Sequence, residues 1–155
     1  MKMNRIGRAA LSLVALAFAL LHPAPLTAQP PYYQAHFPPE EFQARWQQLF
    51  TRIGDRAVAL LQGMPLARGF TVPRQTNEFY YLTGIETPGA YLLLDGRTRK
   101  VTLFLPPRNE RLERSEGKVL SADDVELVKR LTGVDAVAST RTMTEDWFEI
   151  GRAHV

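Results

Sequence analysis

The stretch Arg74-Gln75-Thr76-Asn77-Glu78-Phe79-Tyr80-Tyr81-Leu82-Thr83-Gly84 decides the fold of this 155-residue chain. It follows a connection rich in glycine and proline, residues 62–73, and Asn77 is placed to cap a short helix over Glu78–Leu82. Gly84 suits the left-handed position that ends such a helix. The stretch holds no thiol or imidazole, so it offers neither of these groups for catalysis.

Downstream of this block, two apolar segments flank a turn. Ala90–Leu94 and Lys100–Leu105 are separated by Asp95-Gly96-Arg97-Thr98-Arg99. This pattern predicts a β-hairpin, and the apolar content of both segments predicts that they lie centrally in a sheet. The charged residues 106–120 then predict an exposed loop.

The C-terminal part continues with one helix and one strand. Ser121 and Asp124, three residues apart, predict a helix start with an aspartate in place of the usual glutamate, and Gly133 predicts its end. Val134–Val137 predicts a short last strand. Met143–Phe148 predicts the beginning of a further helix.

Upstream of the block, apolar residues recur every three or four positions between Glu40 and Ile53, which predicts an amphipathic helix. Pro39 suits its first turn and Gly54 its end. Ala57–Leu61 is a short, unbroken apolar run, which predicts a strand buried on both faces. A helix followed by a buried strand indicates an α/β layer.

The block resembles the Arg-Gln and Phe-Tyr-Tyr-Leu-Thr-Gly elements in the N-terminal domain of aminopeptidase P, the Xaa-Pro aminopeptidases of the creatinase/prolidase superfamily. Thr87–Leu94 is similar to the next strand of that family, and Leu103–Asn109 to its Pro-Pro-Arg element. Many relatives carry Trp-Xaa-Gly where this chain reads Arg114-Ser115-Glu116-Gly117. The resemblance implies an α/β domain over residues 39–148, with a mixed β-sheet flanked by helices.

The resemblance also implies a parent enzyme, a manganese-dependent exopeptidase that removes an N-terminal residue preceding proline. Its two Mn²⁺ ions would be held by two Asp, one His and two Glu of a separate pita-bread domain, and none of these ligands is matched in this chain. The present domain is then expected to hold no cofactor and no catalytic or metal-binding residue. It is expected to border the entrance for peptides with proline in second position and to help build a homo-oligomer.

Four residues of the block are candidates for a substrate cleft or an interface. Arg74 and Gln75 could reach a partner surface or a cleft, although a hydrogen-bonding pair that fixes the loop is slightly favoured. Phe79, Tyr80 and Tyr81 are consecutive rings on different faces of a helix, so at least one belongs to the core and another could line a cleft or a subunit contact. The candidates are therefore Arg74, Gln75, Tyr80 and Tyr81.

The chain lacks the cysteine and histidine residues that other kinds of catalysis need. The chain has no cysteine, and its histidines are His22, His36 and His154, in the N-terminal apolar region, a Pro-rich segment and the C-terminal tail. Thiolate catalysis, Ser-His relays and typical zinc sites are therefore not supported. Carboxylates lie where solvation or capping explains them: Asp95, Glu110, Glu113, Glu116, Asp123, Asp124 and Glu126.

Residues 1–28 have the layout of a secretory signal. Lys2, Arg5 and Arg8 precede the apolar run Ala9–Leu21, and a small-residue stretch ends at Ala28, where cleavage is expected. A cut a few residues away and a retained anchor are the alternatives, because Leu26 is a poor residue three positions before a cut. The run is shorter than the roughly 20 residues that span a bilayer. We therefore expect export to the periplasm or the exterior, with no stable membrane anchor.

The signal also explains the basic overall charge. Residues 1–28 hold three of the 19 Lys and Arg and none of the 16 acidic residues, so the rest of the chain has 16 of each. A nucleic-acid partner needs basic charge clustered on the folded domain and is not expected. Residues 29–38, rich in proline, are expected to form a linker.

The ending Glu149–Val155 corresponds to the translation of a common sequencing adapter, AGATCGGAAGAGCACACGTC. Native sequence is then expected to stop near Phe148, and the chain to be an N-terminal fragment of the parent enzyme. Two alternatives stay open. The chain could be a stand-alone binding or assembly module, or the N-terminal domain of a prolidase-like or creatinase-like hydrolase.

Overall fold

The computed structural model describes residues 32–65 and 74–143, all within the second of the chain's two compact units, Pro31–Val155. Eight helices and strands follow one another along these residues. They are α1 (Pro39–Ile53), β1 (Val58–Gln62), α2 (Asn77–Thr83), β2 (Tyr91–Asp95), β3 (Lys100–Leu105), α3 (Glu110–Glu116), α4 (Val125–Thr132) and β4 (Ala136–Ser139).

The strands form one sheet in the order β1-β2-β3-β4. β1 pairs with β2 and β2 with β3 in antiparallel fashion, whereas β3 and β4 are parallel. A parallel pair needs a long crossover, and here α3 and α4 lie on that connection. The mixed β-sheet flanked by helices is the fold predicted from the resemblance, and it is confirmed.

One face of the sheet packs against helices. Leu92 and Leu94 of β2 alternate with residues of the opposite face, as expected of a pleated strand, and both are fully buried. The helices add buried aromatic rings, each worth about 1.5 to 3 kcal/mol when removed from water. This core also contains Phe42, Trp46, Phe50, Phe79, Leu82, Val101, Leu103, Leu105 and Val128.

The hairpin prediction and the central position of its strands are confirmed by the register, which pairs Leu92 with Leu103. In the turn, the Asp95 carboxylate accepts hydrogen bonds from the Arg97 N–H at 2.9 Å and the Thr98 hydroxyl at 2.7 Å. Gly96 donates from its backbone to the Ala57 carbonyl at 3.0 Å. The turn is therefore tied to the connection between α1 and β1.

The prediction that Ala57–Leu61 is buried on both faces was wrong. The observed strand β1 lies at an edge of the described sheet, and none of its five residues is fully buried. Leu60 is 36% exposed. An unbroken apolar run specifies a strand but not its place in the sheet, and an edge strand has a partner on one side only.

The helix over Glu40–Ile53 is confirmed, with Pro39 in its first turn and Gly54 at its C-cap. For α2, Gly84 adopts the predicted left-handed conformation, with φ of 64°. Asn77 was wrong as a cap, because it lies inside the helix and Thr76 is the N-cap, without a side-chain hydrogen bond. The first residue of a helix shifts by one or two positions with the conformation of its terminal turn.

Residues 106–120 are not only a loop, because α3 lies within them. The Asn109 side chain accepts a hydrogen bond from the Leu112 N–H at 3.1 Å and so caps this helix. Ser121 and Asp124 do contact each other, because the Ser121 N–H and hydroxyl donate to the Asp124 carboxylate at 3.0 and 2.8 Å. The Ser121 hydroxyl accepts from the Asp123 N–H at 3.3 Å, one residue earlier than a capping box requires. The helix that follows nevertheless begins later than predicted, at Val125.

Gly133 ends α4 as predicted, and the last strand is Ala136–Ser139 rather than Val134–Val137. The expected signal over residues 1–28 and the expected artificial ending Glu149–Val155 lie outside the described residues. So do residues 66–73 of the connection over 62–73, and the helix over Met143–Phe148 beyond Met143. Within the described ranges no helix is long and apolar enough to cross a membrane.

Candidate functional site

Gln75 is the most highly connected of the four candidate residues. Its Oε1 atom accepts hydrogen bonds from the backbone N–H groups of Met64 and, at 2.9 Å, Thr76. Its Nε2 atom donates to the Thr87 carbonyl at 3.1 Å. The side chain thus joins three segments of backbone, which is the role of fixing the loop that the sequence analysis slightly favoured.

The backbone around Gln75 is equally tight. A Cβ atom on Gly63 would stand 2.9 Å from both side-chain polar atoms of Gln75, so glycine makes room for this amide. The Gly63 N–H donates to the Ala90 carbonyl at 2.9 Å, and the Gly89 N–H to the Met64 carbonyl at 2.7 Å. The end of β1 and the segment before β2 are therefore held together around one amide group.

The three rings of α2 divide between core and surface. Phe79 is fully buried, Tyr80 is half-buried and Tyr81 is 55% exposed. Burial, and then the neighbouring carboxylate of Glu86, raise the pKa of the Tyr80 phenol above its ordinary value. Of these residues, Tyr81 offers the largest free surface to a partner.

Tyr81 belongs to a group of residues that the sequence analysis did not assemble. The Arg45 guanidinium carbon lies 4.1 Å from the Tyr81 ring centroid and 5.4 Å from that of Phe37. An Arg45 nitrogen also donates to the Tyr81 carbonyl, and another pairs with Glu41 at 2.8 Å. We call Phe37, Arg45 and Tyr81 the aromatic platform.

The platform joins α1, α2 and the segment before α1. Phe37 is 39% exposed, while the Arg45 side chain is only 13% exposed because it lies between the rings. The spacing of Glu41 and Arg45, four residues apart on a helix, was a visible signal for part of this arrangement. The contact with Tyr81, 36 positions away, was not visible in the sequence.

Arg74 is exposed and lies at the beginning of the described range 74–143. It forms no ion pair with any described residue, and no hydrogen bond joins it to Tyr80 or Tyr81. Gln75 and Tyr80 are partly buried, whereas Arg74 and Tyr81 are exposed. No side-chain hydrogen bond, ion pair or ring contact joins any two of these four residues within 32–65 and 74–143, and their role at a cleft or interface stays a prediction.

Arg108 anchors the connection after β3. Its backbone N–H donates to Asp123 at 2.9 Å, and its guanidinium bonds Asp124 at 2.7 Å and lies 3.7 Å from Glu113. Burial tends to raise the pKa of the Asp124 carboxyl, but hydrogen bonds from Ser121 and Arg108 outweigh it and lower that pKa. The hydrogen bond to Asp124 correspondingly raises the Arg108 pKa.

The described aspartates stabilise turns and helix starts. Asp95 organises the hairpin turn, Asp123 and Asp124 bind Arg108, and Asp135 accepts from the Val101 N–H at 2.7 Å. Across residues 32–65 and 74–143, no three His, Asp or Glu side chains are grouped so that they could hold a metal ion.

The sequence matches one family model and several curated proteins. Residues 42–154 match the model of the aminopeptidase P N-terminal domain. An Xaa-Pro aminopeptidase of Haemophilus influenzae is 35% identical over 97 residues, which cover 59% of this chain and 23% of that protein. A probable Xaa-Pro aminopeptidase of Paracoccidioides lutzii is 33% identical over 113 residues, covering 70% and 23%.

The fold is likewise that of solved aminopeptidases P. The enzyme from E. coli with the inhibitor Pro-Leu superposes with a TM-score of 0.63 at 24% sequence identity, covering 75% of this chain and 27% of that one. The zinc-substituted E. coli enzyme in complex with product gives the same values. This chain thus spans about a quarter of the length of the relatives it matches.

The family is assigned from the match over residues 42–154, and the sheet order with its central hairpin agrees with it. The chain belongs to the aminopeptidase P N-terminal domain family.

Proposed function

We propose that this chain is the non-catalytic N-terminal domain of an exported, manganese-dependent Xaa-Pro aminopeptidase. The observation that carries the proposal is the family match over residues 42–154, combined with relatives that are about four times as long as the matched region. The proteins with the matching sequences are Xaa-Pro aminopeptidases. Peptides with proline in second position are therefore the proposed substrates of the parent protein.

Metal chemistry is assigned to another part of that parent. A zinc-substituted form of the E. coli relative shows that the relative accepts a metal ion. The described residues of this chain do not fit such a centre, because no three of their His, Asp or Glu side chains are grouped to hold a metal ion, and the carboxylates of Asp124 and Asp135 are bonded to Arg108 and to a backbone N–H. We derive no catalytic step from them and propose that Mn²⁺ is held outside the described ranges.

The domain's own role is proposed to be assembly and the shaping of a peptide entrance. Exposed tyrosine and arginine are the side chains most often found at the centre of protein interfaces. The aromatic platform and the exposed Arg74 supply such groups. We propose that these residues contact a second copy of the parent protein or border its substrate cleft.

An activity measurement tests the proposal that catalysis belongs to another part of the parent protein. The purified 155-residue chain, incubated with Mn²⁺ and a peptide carrying proline in second position, is expected to release no N-terminal residue. The Xaa-Pro aminopeptidase of Haemophilus influenzae serves as the positive control under the same conditions. Metal-dependent turnover by the chain, lost on chelation, would show that it carries its own catalytic centre.

The alternative of a stand-alone binding or assembly module is favoured by the exposed rings of Phe37 and Tyr81. Reading the gene beyond the codon of Phe148 separates the two functions. An open frame that encodes two Asp, one His and two Glu as metal ligands supports the peptidase, whereas a native stop codon supports the module. The ligand environment encoded there would also distinguish a prolidase-like or creatinase-like hydrolase.

A further inference from the structure

Strand β1 has one unpaired side within residues 32–65 and 74–143. It pairs with β2 along one side in an unbroken register, and no described residue pairs with the other side. Its sequence, Val58-Ala59-Leu60-Leu61-Gln62, contains no charged residue and no proline. Natural edge strands usually carry lysine, proline or a bulge that prevents pairing with another chain. β1 therefore keeps an edge that is competent to pair.

Hydrogen bonds at the two ends of the β1–β2 ladder show which residues point outward. The Gly63 N–H donates to the Ala90 carbonyl at 2.9 Å, and the Gly96 N–H donates to the Ala57 carbonyl at 3.0 Å. Backbone groups along an antiparallel strand alternate between its two sides, so the odd-numbered residues of β1 bond β2. The N–H and C=O groups that point outward belong to Val58, Leu60 and Gln62.

The side chains along this edge are also accessible. Leu60 is 36% exposed, although Leu93, its neighbour across the β1–β2 pair, is only 3% exposed. Gln62 is exposed as well, and Val58 is half-buried. A strand that paired with β1 would remove the apolar surface of Leu60 from water, which favours pairing.

The outward edge of β1 is complementary to itself. In an antiparallel pairing about a two-fold axis, Leu60 of one protomer lies opposite Leu60 of its partner, and Val58 lies opposite Gln62. All three outward residues then fall in hydrogen-bonded pairs, in which each residue donates one bond and accepts one. A two-fold contact requires such a surface, because both protomers contribute the same patch.

The same register avoids contacts that destabilise a sheet. Ala59 of one protomer lies opposite Leu61 of its partner, so a small side chain meets a large one. Arg56 would lie opposite Met64, so its guanidinium faces no like charge. A shift by one residue would set outward groups of one protomer opposite inward groups of its partner, and the hydrogen bonds would be lost.

We propose that β1 is a homodimer interface through which two copies of this domain join their four-stranded sheets into one. The inference rests on the assembly role in the proposed function and assigns that role to one strand. The contact involves a single pair of short strands and is smaller than a standard protein interface. The dissociation constant of the dimer is therefore expected to be on the order of 0.1 mM.

Amide hydrogen exchange of the full chain in dilute and concentrated solution detects this pairing. The N–H groups of Val58, Leu60 and Gln62 are expected to exchange about fivefold more slowly near 1 mM than below about 10 µM, because roughly one fifth of the chains stay monomeric at the higher concentration. Those of Ala59 and Leu61, which bond β2, should be slow at both. Slow exchange of the three outward groups in dilute solution would mean that another part of the chain covers the edge, which contradicts the inference.

A cross-link tests the position of the two-fold axis, because the chain has no cysteine of its own. Leu60→Cys would bring two Cα atoms to about 5.5 Å from each other, inside the range that a disulfide spans. Leu112→Cys is the matched control, since Leu112 is 37% exposed and lies on α3. Near 0.1 mM and under mild oxidation, Leu60→Cys is expected to form covalent dimer at least about tenfold faster than the control.

A charge variant tests whether the same contact holds the dimer in solution. Leu60→Lys sets two like charges opposite each other at the axis and should raise the dissociation constant at least about tenfold. Leu112→Lys should change it by less than about twofold. Sedimentation velocity of the full chain and both variants over a concentration series measures these constants, and the exchange and cross-linking experiments apply even if Leu60→Lys does not fold.

The outcomes separate this inference from the proposed function. A dimer that persists in Leu60→Lys, or that cross-links no faster through Leu60→Cys than through Leu112→Cys, contradicts the inference and leaves the assembly role in place. A full chain that stays monomeric up to about 1 mM contradicts both. The proposed peptidase function of the parent protein depends only on the activity and gene measurements described above.

Discussion

Gln75 holds Met64 in place, because its Oε1 atom accepts a hydrogen bond from the Met64 backbone N–H. The two residues are 11 positions apart, and residues 66–73 between them are not described. The family signature therefore has a physical role at this position. Its glutamine closes the connection between β1 and α2 and attaches it to the Thr87 carbonyl.

Replacing this amide should destabilise the domain. Gln75→Ala removes one acceptor and one donor and leaves backbone groups of Met64 and Thr87 without their partner, at a cost of about 1 to 3 kcal/mol in the free energy of unfolding. Urea denaturation followed by tryptophan fluorescence measures the change. The neighbouring exposed residue gives the control, since Arg74→Ala should stay within about 0.5 kcal/mol of wild type. Equal stabilities for the two variants would contradict this role.

Gly96 should tolerate no side chain. A Cβ atom there would stand 2.1 Å from the Gly54 carbonyl oxygen and 2.6 Å from that of Ala57, so Gly96→Ala must push two turns apart. We expect a loss of about 3 kcal/mol or more, or failure to fold. Gly54→Ala is the matched control, because its Cβ would meet nothing within 4 Å and only its backbone conformation, φ 72° and ψ −159°, is unfavourable; it should cost about 1 to 3 kcal/mol, less than Gly96→Ala. Thermal unfolding of both variants compares the two costs.

Asp124 should make stability depend on pH in the acidic range. Its pKa is lower in the folded chain than in the unfolded chain, so its contribution is complete above the unfolded value and is lost as pH falls through the folded value. Asp124→Asn should cost about 1 to 2 kcal/mol near neutral pH, through the lost charged hydrogen bonds with Ser121 and Arg108. The difference from wild type should shrink below about pH 4.

Urea denaturation at a series of pH values measures this difference. Glu126→Gln is the control. Glu126 is exposed in the first turn of α4, directly after Asp124, and its replacement should change the free energy of unfolding by no more than about 0.5 kcal/mol. If the difference in free energy of unfolding between wild type and Asp124→Asn stayed constant down to pH values below about 3, the Asp124 carboxylate would not be the source of the pH dependence.

The aromatic platform should show coupling between Arg45 and Tyr81. A double-mutant cycle with Arg45→Met and Tyr81→Leu compares the free energies of unfolding of wild type, the two single variants and the double variant. The coupling energy between the two residues is expected to be about 0.5 to 2 kcal/mol, because the guanidinium carbon lies 4.1 Å from the ring centroid. Tyr81→Leu keeps the backbone carbonyl that Arg45 also binds, so the cycle reports the ring. Arg45→Met combined with Leu112→Ala, on the separate helix α3, should be additive within about 0.5 kcal/mol.

The elements that depend on local sequence were predicted well. The helix α1 follows from apolar spacing, the hairpin from a five-residue turn between two apolar segments, and the ends of α2 and α4 from Gly84 and Gly133. In each case, neighbouring residues carry the information. The burial of β1 was predicted wrongly because it depends on partners far along the chain. The cap of α2 and the bounds of β4 were wrong by one or two residues. The helix in residues 106–120 was missed although Asn109, its cap, is a local signal.

For the candidate site, residue types alone could not separate structural from exposed positions. Gln75 and Arg74 are adjacent in sequence, yet one side chain binds three backbone segments and the other projects from the surface. For Arg45, the sequence predicted only that it lies in a helix. Its position between Phe37 and Tyr81 arises because α1 packs against α2, where Trp46 donates a hydrogen bond to the Leu82 carbonyl at 2.9 Å.

The sequence by itself determined the helices α1, α2 and α4, the existence of the four strands, the turn between β2 and β3, and the absence of thiols, because these follow from composition and from spacing within a few residues. Tertiary structure alone decided that β1 is an edge strand, that Gln75 faces inward, and that Tyr81 stacks on Arg45. The physical reason is that burial and hydrogen-bond partners are set by segments brought together across the sheet, and no local pattern records which segments will meet.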